Sequence, residues 1–417
     1  MELKNCSCKD TTIIEGIFGE IRLDDDITPI IIKSYTMINV NNVEITIITW
    51  GASIVSIKCP DKYGRSNDVV LGFDDLKSYT NPTVNPYIGC VLGRCANRIK
   101  DGQIKIENQD YQLSRNDENG HHLHGGASGF GRQIWDSHID GCTLVMTYLS
   151  ENGEEGYPGS ILTTVRFTLT HDNKLEICIR ATCSKPTLVN ISHGSYFNLA
   201  GHDAGEEELR QHTIMLNSDR WTFAEFSNPV PTGSIRGVGG TVMDLRIPKL
   251  LGECMDKVPP GEGFDHNFCV VKNWSSRNNF VARVVHPLSG RAIEIYSDQP
   301  GLQLYTAGRF PSLIKAESKD TITDTQKKEE IAKEKNQKLD ESPVIQKESL
   351  PDLPKCEFIP GKKGASYTKF CAFSIQPQNY PNAINYSHFP CSILRPGQMY
   401  YHDLTYKFGV QLANYMY

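Results

Sequence analysis

No run of apolar residues in this chain is long enough to cross a membrane, and the first ten residues, Met1 to Asp10, are polar. An excess of positive charge is lacking too, because 43 Lys and Arg residues stand against 49 Asp and Glu residues and give a formal net charge of −6. A surface that binds nucleic acid needs basic residues to neutralise phosphates. The sequence therefore predicts a protein without nucleic-acid or membrane partners.

A regular spacing of cysteines is also missing. The thirteen cysteines are an odd number and are scattered along the chain, and Cys178 and Cys269 fall inside strand-like runs. Secreted disulfide scaffolds are shorter and more regularly spaced. We therefore expect reduced thiols and a cytoplasmic protein.

Strong metal-binding patterns are absent as well. Cys6 and Cys8 form a lone C-x-C pair, which is a weak signal for a metal. His121, His122 and His124 place three imidazoles within four residues, but no thiolate or carboxylate stands at a familiar zinc spacing from them. We predict no metal site.

Helical periodicity is scarce, and short strand patterns dominate. Residues 43–49 and 161–170 are rich in β-branched side chains that partly alternate with polar ones, as in half-buried strands. Turn-forming residues separate such runs at short intervals, and the best helix candidate is residues 74–79. The pattern predicts an all-β protein, a large antiparallel β-sandwich with few short helices, and a single domain over residues 1–417.

Two segments depart from this pattern. The N-terminal stretch, about residues 1–12, is predicted to be a polar tail. Residues 317–352 are dense in Lys, Glu, Asp, Gln and Ser, and no aromatic residue occurs between Pro311 and Glu357. Such a stretch buries too little apolar surface to offset its ordering entropy. We expect a disordered, charged insertion over about residues 312–357, which is a possible contact for a protein partner.

Eight short motifs follow one another in a fixed order along the chain. They are residues 50–54 (WGASI), 68–73 (DVVLGF), 93–99 (GRCANRI), 122–126 (HLHGG), 155–159 (EGYPG), 263–268 (GFDHNF), 299–303 (QPGLQ) and 394–397 (LRPG). With residues 186–201 (PTLVNISHGSYFNLAG), these motifs resemble the aldose 1-epimerases, also called galactose mutarotases. The resemblance extends from about Asn41 to Phe408 and implies the galactose mutarotase-like β-sandwich.

The resemblance also implies a set of sugar-binding residues and no cofactor. They are Asn97, Arg98, His124, Asp265, and Gln299 or Gln303. The chemistry is suitable, because a hexose presents hydroxyls that both donate and accept hydrogen bonds, while Asp accepts, Arg donates and Gln does both. Considered without the other motifs, Arg98 and Asp265 could instead form an ion pair that stabilises a loop.

The two proton-transfer positions of the family are substituted in this chain. In the family a His directly precedes Ser-Tyr-Phe-Asn-Leu-Ala-Gly and acts as the general acid, and here that position is Gly194. The family's general base, a Glu two residues before a Gln, corresponds to Gln376 in residues 375–381 (IQPQNYP). A carboxamide does not hold a proton at neutral pH. We expect mutarotation to be weak or absent.

Three alternatives stay open at this point. His193 could substitute as the acid if a bulge at Gly194 re-aimed its side chain, although neighbouring side chains of a strand point to opposite faces. The protein could be a non-catalytic sugar-binding or regulatory protein on the same scaffold rather than a weak epimerase of galactose or glucose. A hexose phosphate ligand would need extra Arg or Lys residues in the pocket, and the sequence reveals no such cluster.

Overall fold

The fold is built almost entirely from strands. The structure is a computed structural model that describes residues 5–7, 10–22, 28–225, 228–273, 276–312 and 357–412. In chain order its strands are β1 Asn5–Ser7, β2 Thr11–Ile21, β3 Ile30–Asn39, β4 Glu44–Ile48, β5 Ser53–Pro60, β6 Ser66–Asp68, β7 Val91–Leu92, β8 Arg98–Ile99, β9 Gln103–Ile106, β10 Gln109–Gln112, β11 His122–Leu123, β12 Asp136–Asp140, β13 Thr143–Ser150, β14 Ile161–Leu169, β15 Lys174–Cys183, β16 Thr187–Leu188, β17 Ser192–His193, β18 Thr213–Leu216, β19 Ser218–Glu225, β20 Asn228–Gly237, β21 Lys249–Leu250, β22 Asp265–Val270, β23 Asn279–Val285, β24 Arg291–Ser297, β25 Gly301–Tyr305, β26 Ile359–Pro360, β27 Ser366–Tyr367, β28 Ser374–Gln378, β29 Ile393–Leu394 and β30 Tyr400–Val410.

Helices are few and short. The α-helices of the described residues are α1 Leu76–Thr80, α2 Gly205–Arg210 and α3 Leu251–Cys254. Single 3-10 turns occur at Lys100–Gly102, Phe130–Arg132, Glu154–Gly156, Met255–Lys257, Lys362–Gly364 and Ala383–Asn385. The prediction of an all-β protein with few short helices is confirmed.

Three antiparallel sheets carry the architecture. Strands β1 to β6 form one sheet in chain order. A nine-stranded sheet has the order β12-β13-β14-β15-β30-β24-β23-β18-β21, and a five-stranded sheet has the order β20-β19-β22-β25-β28. Strand β30 pairs with β15 and β24, so it joins the β12–β15 meander to the other strands of the large sheet.

The three sheets share one apolar core. Strand β14 alternates buried and less buried residues along its length, as a strand with one face on a core does. Ile45 of the first sheet, Ile177 of the second and Leu302 of the third are fully buried in the same cluster. The sheets therefore pack face to face around a common interior.

Two expectations about the chain outside this core can be compared with the structure. Cys142 is disulfide-bonded, so the expectation of reduced thiols is wrong at this residue, since pairing cannot be deduced from cysteine spacing. Within the stretch predicted as a polar tail, β1 pairs with β2.

Residues 313–356, nearly all of the predicted insertion, lie outside the described residues. Among the described residues no helix is long and apolar enough to span a membrane.

Candidate functional site

A cavity of about 550 Å³ gathers most of the residues that the sequence singled out. It lies between the five-stranded sheet and the small β8–β11 pair. The sequence-predicted residues that line it are Asn97, Arg98, His124, Asp265, Gln303 and Gln376.

Strand register brings three of these side chains together. In the five-stranded sheet Gln303 of β25 stands opposite Gln376 of β28, so both side chains project from the same sheet face. Asp265 begins the neighbouring strand β22, and its Oδ1 accepts a hydrogen bond of 2.7 Å from Gln303 Nε2. Gln303 Oε1 is buried and has no hydrogen-bond partner among the described residues. It is an acceptor that a ligand hydroxyl can satisfy.

The β8–β11 pair supplies the opposite wall. The backbone N–H of His124 donates to Asn97 O at 3.1 Å, and the backbone N–H of Asn97 donates to His124 Nδ1 at 3.2 Å. Burial, reinforced by the charge of Arg98, lowers the pKa of His124 to about 3. The ring is therefore neutral at pH 7, and because Nδ1 accepts, the proton is on Nε2. His124 offers a donor rather than a charge.

Asp265 is held as a carboxylate by two arginines. Its Oδ2 lies 3.8 Å from Arg98 Nη1 and 3.4 Å from Arg309 Nη2, and Arg98 also faces Asp117 at 3.4 Å. Burial opposes ionisation of Asp265, but the two guanidinium groups and the Gln303 hydrogen bond outweigh it and keep the pKa below its usual range. The cavity thus presents an ionised acceptor beside several N–H donors.

Neither of the two positions that the sequence predicts to be substituted, 194 and 376, supplies a proton-transfer group. Gln376 is buried, and its Nε2 donates to Ser374 Oγ at 3.0 Å. Gly194 does not line the cavity, and its backbone N–H and C=O are engaged by Cys90 O and Gly89 N at 2.8 and 2.9 Å. A Cβ built at Gly194 would stand 2.9 Å from Tyr87 O, closer than real Cβ contacts come.

His193 lies outside the cavity, in the protein interior. It is fully buried, its Nδ1 is 3.2 Å from Ser195 Oγ, and its ring packs edge-to-face on Phe167. Burial lowers its pKa to about 3. A neutral, buried imidazole away from the cavity has no proton to give a ligand there at neutral pH.

Gln299 also lies away from this cavity, in a second groove. Its amide donates to Asp298 Oδ1 at 2.8 Å and to Tyr401 O at 3.0 Å, which holds it against strand β30. Of the two glutamines that the resemblance gave as alternatives for sugar binding, Gln299 and Gln303, only Gln303 lines the cavity with Asp265.

The three neighbouring histidines serve different partners. His121 Nε2 is 3.0 Å from Asn228 Oδ1, and His122 bonds to Ser114 O and to Tyr157 Oη. Among the described residues no group of three or more His, Cys, Asp or Glu side chains is arranged to hold a metal ion.

Several lining residues gave no signal in the sequence. Arg132 and Arg309 line the cavity together with Arg98, and Tyr87 and Asp117 do so as well. The sequence reveals no such cluster of basic residues, but the folded chain brings three arginines together at the cavity. These arginines are far apart in the chain and come together only through sheet pairing and loop closure, so no spacing pattern could have grouped them.

The fold and the site together define an all-β protein with a polar cavity between the five-stranded sheet and the β8–β11 pair. The aldose 1-epimerase family model matches residues 33–407, and the chain belongs to that family. It is 35% identical over 371 residues to the galactose mutarotase of Sus scrofa, covering 89% of this chain and 92% of that protein. It is 34% identical over 366 residues to the galactose mutarotase of Homo sapiens, covering 88% and 91%.

Solved structures agree with the fold. The crystal structure of a GalM/aldose epimerase homologue from C. elegans superposes with a TM-score of 0.71 at 25% identity, covering 89% of this chain and 97% of that one. Galactose 1-epimerase from Lactobacillus acidophilus gives a TM-score of 0.69 at 19% identity, covering 98% and 99%. The predicted galactose mutarotase-like fold is confirmed.

Proposed function

We propose that this protein binds a hexose such as galactose or glucose in the cavity and interconverts its anomers weakly or not at all. One observation carries the proposal. The cavity keeps a full set of groups for sugar hydroxyls, but the chain has Gly194 and Gln376 at the two positions where the resemblance places the family's acid and base.

The hydroxyl-binding chemistry is specific. The Asp265 carboxylate accepts from two adjacent hydroxyls, and Arg98 donates to their oxygens. Gln303 Oε1 is a buried acceptor without a donor among the described residues, and it accepts a hydrogen bond from a further hydroxyl. His124 Nε2–H donates to a hydroxyl or to the ring oxygen. No cofactor is needed for this binding.

Mutarotation requires more than binding. A proton is delivered to the ring oxygen while another leaves the anomeric hydroxyl, so the C1–O5 bond breaks, an open-chain aldehyde forms and the ring recloses on either face. Each positioned acid or base contributes typically about 10²–10⁴-fold. Without a side chain at 194 and without a basic group at 376, the rate should stay near that of water.

A non-catalytic sugar-binding or regulatory role is the second candidate. It is supported by the position of Arg309 and Phe310, which line the cavity directly before the segment 312–357. A cytoplasmic partner that contacts this segment would bind a part of the chain that begins beside the cavity. Deleting residues 317–352 should then abolish a sugar-dependent change in partner binding, and a deletion that leaves this change intact contradicts the role.

Titration by saturation-transfer NMR tests the binding proposal. D-galactose and D-glucose should bind the full chain saturably. Asp265→Asn and Gln303→Ala should each weaken binding about tenfold or more, since hydrogen bonds to charged or buried partners are lost. Gln299→Ala is the matched control outside the cavity and should bind like the unmodified protein. Absence of saturable binding of both sugars, or equal losses in the Gln299 and Gln303 variants, contradicts the proposal.

A further inference from the structure

Arg132, in the cavity wall, has no acidic partner among the described residues. Arg132 ends the 3-10 turn Phe130–Arg132, lines the cavity and is partly exposed. Among the described residues its guanidinium forms no ion pair and no hydrogen bond. The guanidinium stacks on the ring of Tyr87, with Cζ 4.7 Å from the ring centroid. A guanidinium stacked on an aromatic face keeps its edge N–H groups available for a planar anion.

The other two arginines of the cavity differ in this respect. Arg98 is shared between Asp117 and Asp265, and Arg309 lies 3.4 Å from Asp265 and 4.0 Å from Glu118. Their charges are balanced by carboxylates of the same wall. The charge of Arg132 is not balanced in this way.

On the Arg132 side of the cavity, no carboxylate of the described residues forms an ion pair with this guanidinium. The Tyr87 ring lies 5.0 Å from that of His124, which is neutral, and position 376, which also lines the cavity, is an amide. Glu155 is close to this wall but does not line the cavity. Its oxygens accept from Ser128 N and from Ser114 Oγ.

We propose that the preferred ligand is a hexose bearing an anionic group, a carboxylate or a phosphate, which Arg132 binds through its guanidinium edge. This rests on the proposed function, because the hydroxyls of the same sugar occupy Asp265 and Gln303. A volume of about 550 Å³ is within the usual range of ligand cavities and leaves room for a substituent beside the ring.

The test compares ligands that share the galactose ring and differ in the group at C6, which is neutral in one and anionic in the others. D-galactose, D-galacturonate and D-galactose 6-phosphate are titrated against the full chain by NMR or calorimetry, with inorganic phosphate alone as a fourth ligand. At least one anionic sugar should bind about tenfold tighter than galactose, and the preference should shrink between 20 and 200 mM salt because screening weakens the ion pair. The tighter of the two identifies the group as carboxylate or phosphate.

Variants assign the effect to Arg132. Arg132→Gln should bring the ratio of anionic to neutral affinity close to one, and Arg132→Lys should retain part of it. Arg236→Gln is the matched control, since Arg236 stacks on Phe223 but does not line this cavity. Thermal melts check that each variant is folded.

The outcomes separate this inference from the proposed function. Galactose binding without any anionic preference, a preference that survives in Arg132→Gln, or phosphate alone binding as tightly as the sugar phosphate overturns the inference and leaves the hexose site standing. Failure of every sugar to bind overturns both.

Discussion

Gly194 lies directly against the backbone of Tyr87, whose carbonyl oxygen would be 2.9 Å from a Cβ at position 194. This close contact is possible because residue 194 has no side chain. Backbone angles do not require glycine there, since Gly194 does not have a positive φ. The Tyr87 side chain is held by two hydrogen bonds, since its hydroxyl donates to Gly126 O and accepts from Asn116 Nδ2. Position 194, where the sequence resemblance places the family's acid, is thus closed by neighbouring backbone as well as lacking a side chain.

The first prediction concerns this contact. Gly194→Ala should lower the free energy of unfolding by about 1–3 kcal/mol, the usual cost of forcing extra atoms into a packed site. Chemical denaturation measures it. Gly237→Ala is the control, because a Cβ there meets nothing within 4 Å. Equal free energies of unfolding for the two variants would show that the Tyr87 backbone moves at little energetic cost and would contradict the prediction.

The second prediction concerns restored catalysis. Gln376→Glu together with Gly194→His should raise the mutarotation rate far more than either change alone, because acid and base act as a unit. The gain is limited by how far the Tyr87 carbonyl moves to admit the imidazole. Polarimetry on all three variants measures it. Single variants that each reach the rate of the double variant would contradict the paired roles of these positions.

The third prediction is a pH dependence of stability that arises from His193. Its pKa is about 3 when folded and near 6.5 when unfolded. Above pH 6.5 the ring is neutral in both states. As pH falls from 6.5 towards 3, only the unfolded chain binds the proton, so stability falls by up to about 1.4 kcal/mol per pH unit.

Urea denaturation at a series of pH values checks this dependence. His193→Gln should reduce the slope of unfolding free energy against pH by about one proton between pH 4 and 6. Parallel slopes for His193→Gln and the unmodified protein would mean that His193 is accessible to protons in the folded state.

Local patterns in the sequence predicted much of the fold. Alternation in residues 43–49 and 161–170 matches strands Glu44–Ile48 and Ile161–Leu169, and the helix candidate at 74–79 overlaps Leu76–Thr80. These features depend on side-chain periodicity within a few residues. Motif order then added the family and, through it, a set of site residues. Of these, Gln299 and Gly194 lie outside the cavity, as does His193, the candidate substitute acid.

What the sequence could not provide depends on contacts between distant segments. Arg132 and Arg309 carry no motif of their own and reach the cavity through loop geometry. The contact of Gly194 with Tyr87 likewise involves segments remote in the chain. Such pairs are set by the tertiary fold, and a single sequence contains no local signal for them.

The central claim is a sugar site without its acid and base, and polarimetry on freshly dissolved α-D-galactose tests it most directly. The first-order rate of approach to the anomeric equilibrium is measured at increasing protein concentration. The account predicts a rate that stays close to the protein-free value throughout. A rate that rises steeply in proportion to protein concentration would contradict it, and loss of that activity in His193→Ala would identify His193 as the acid.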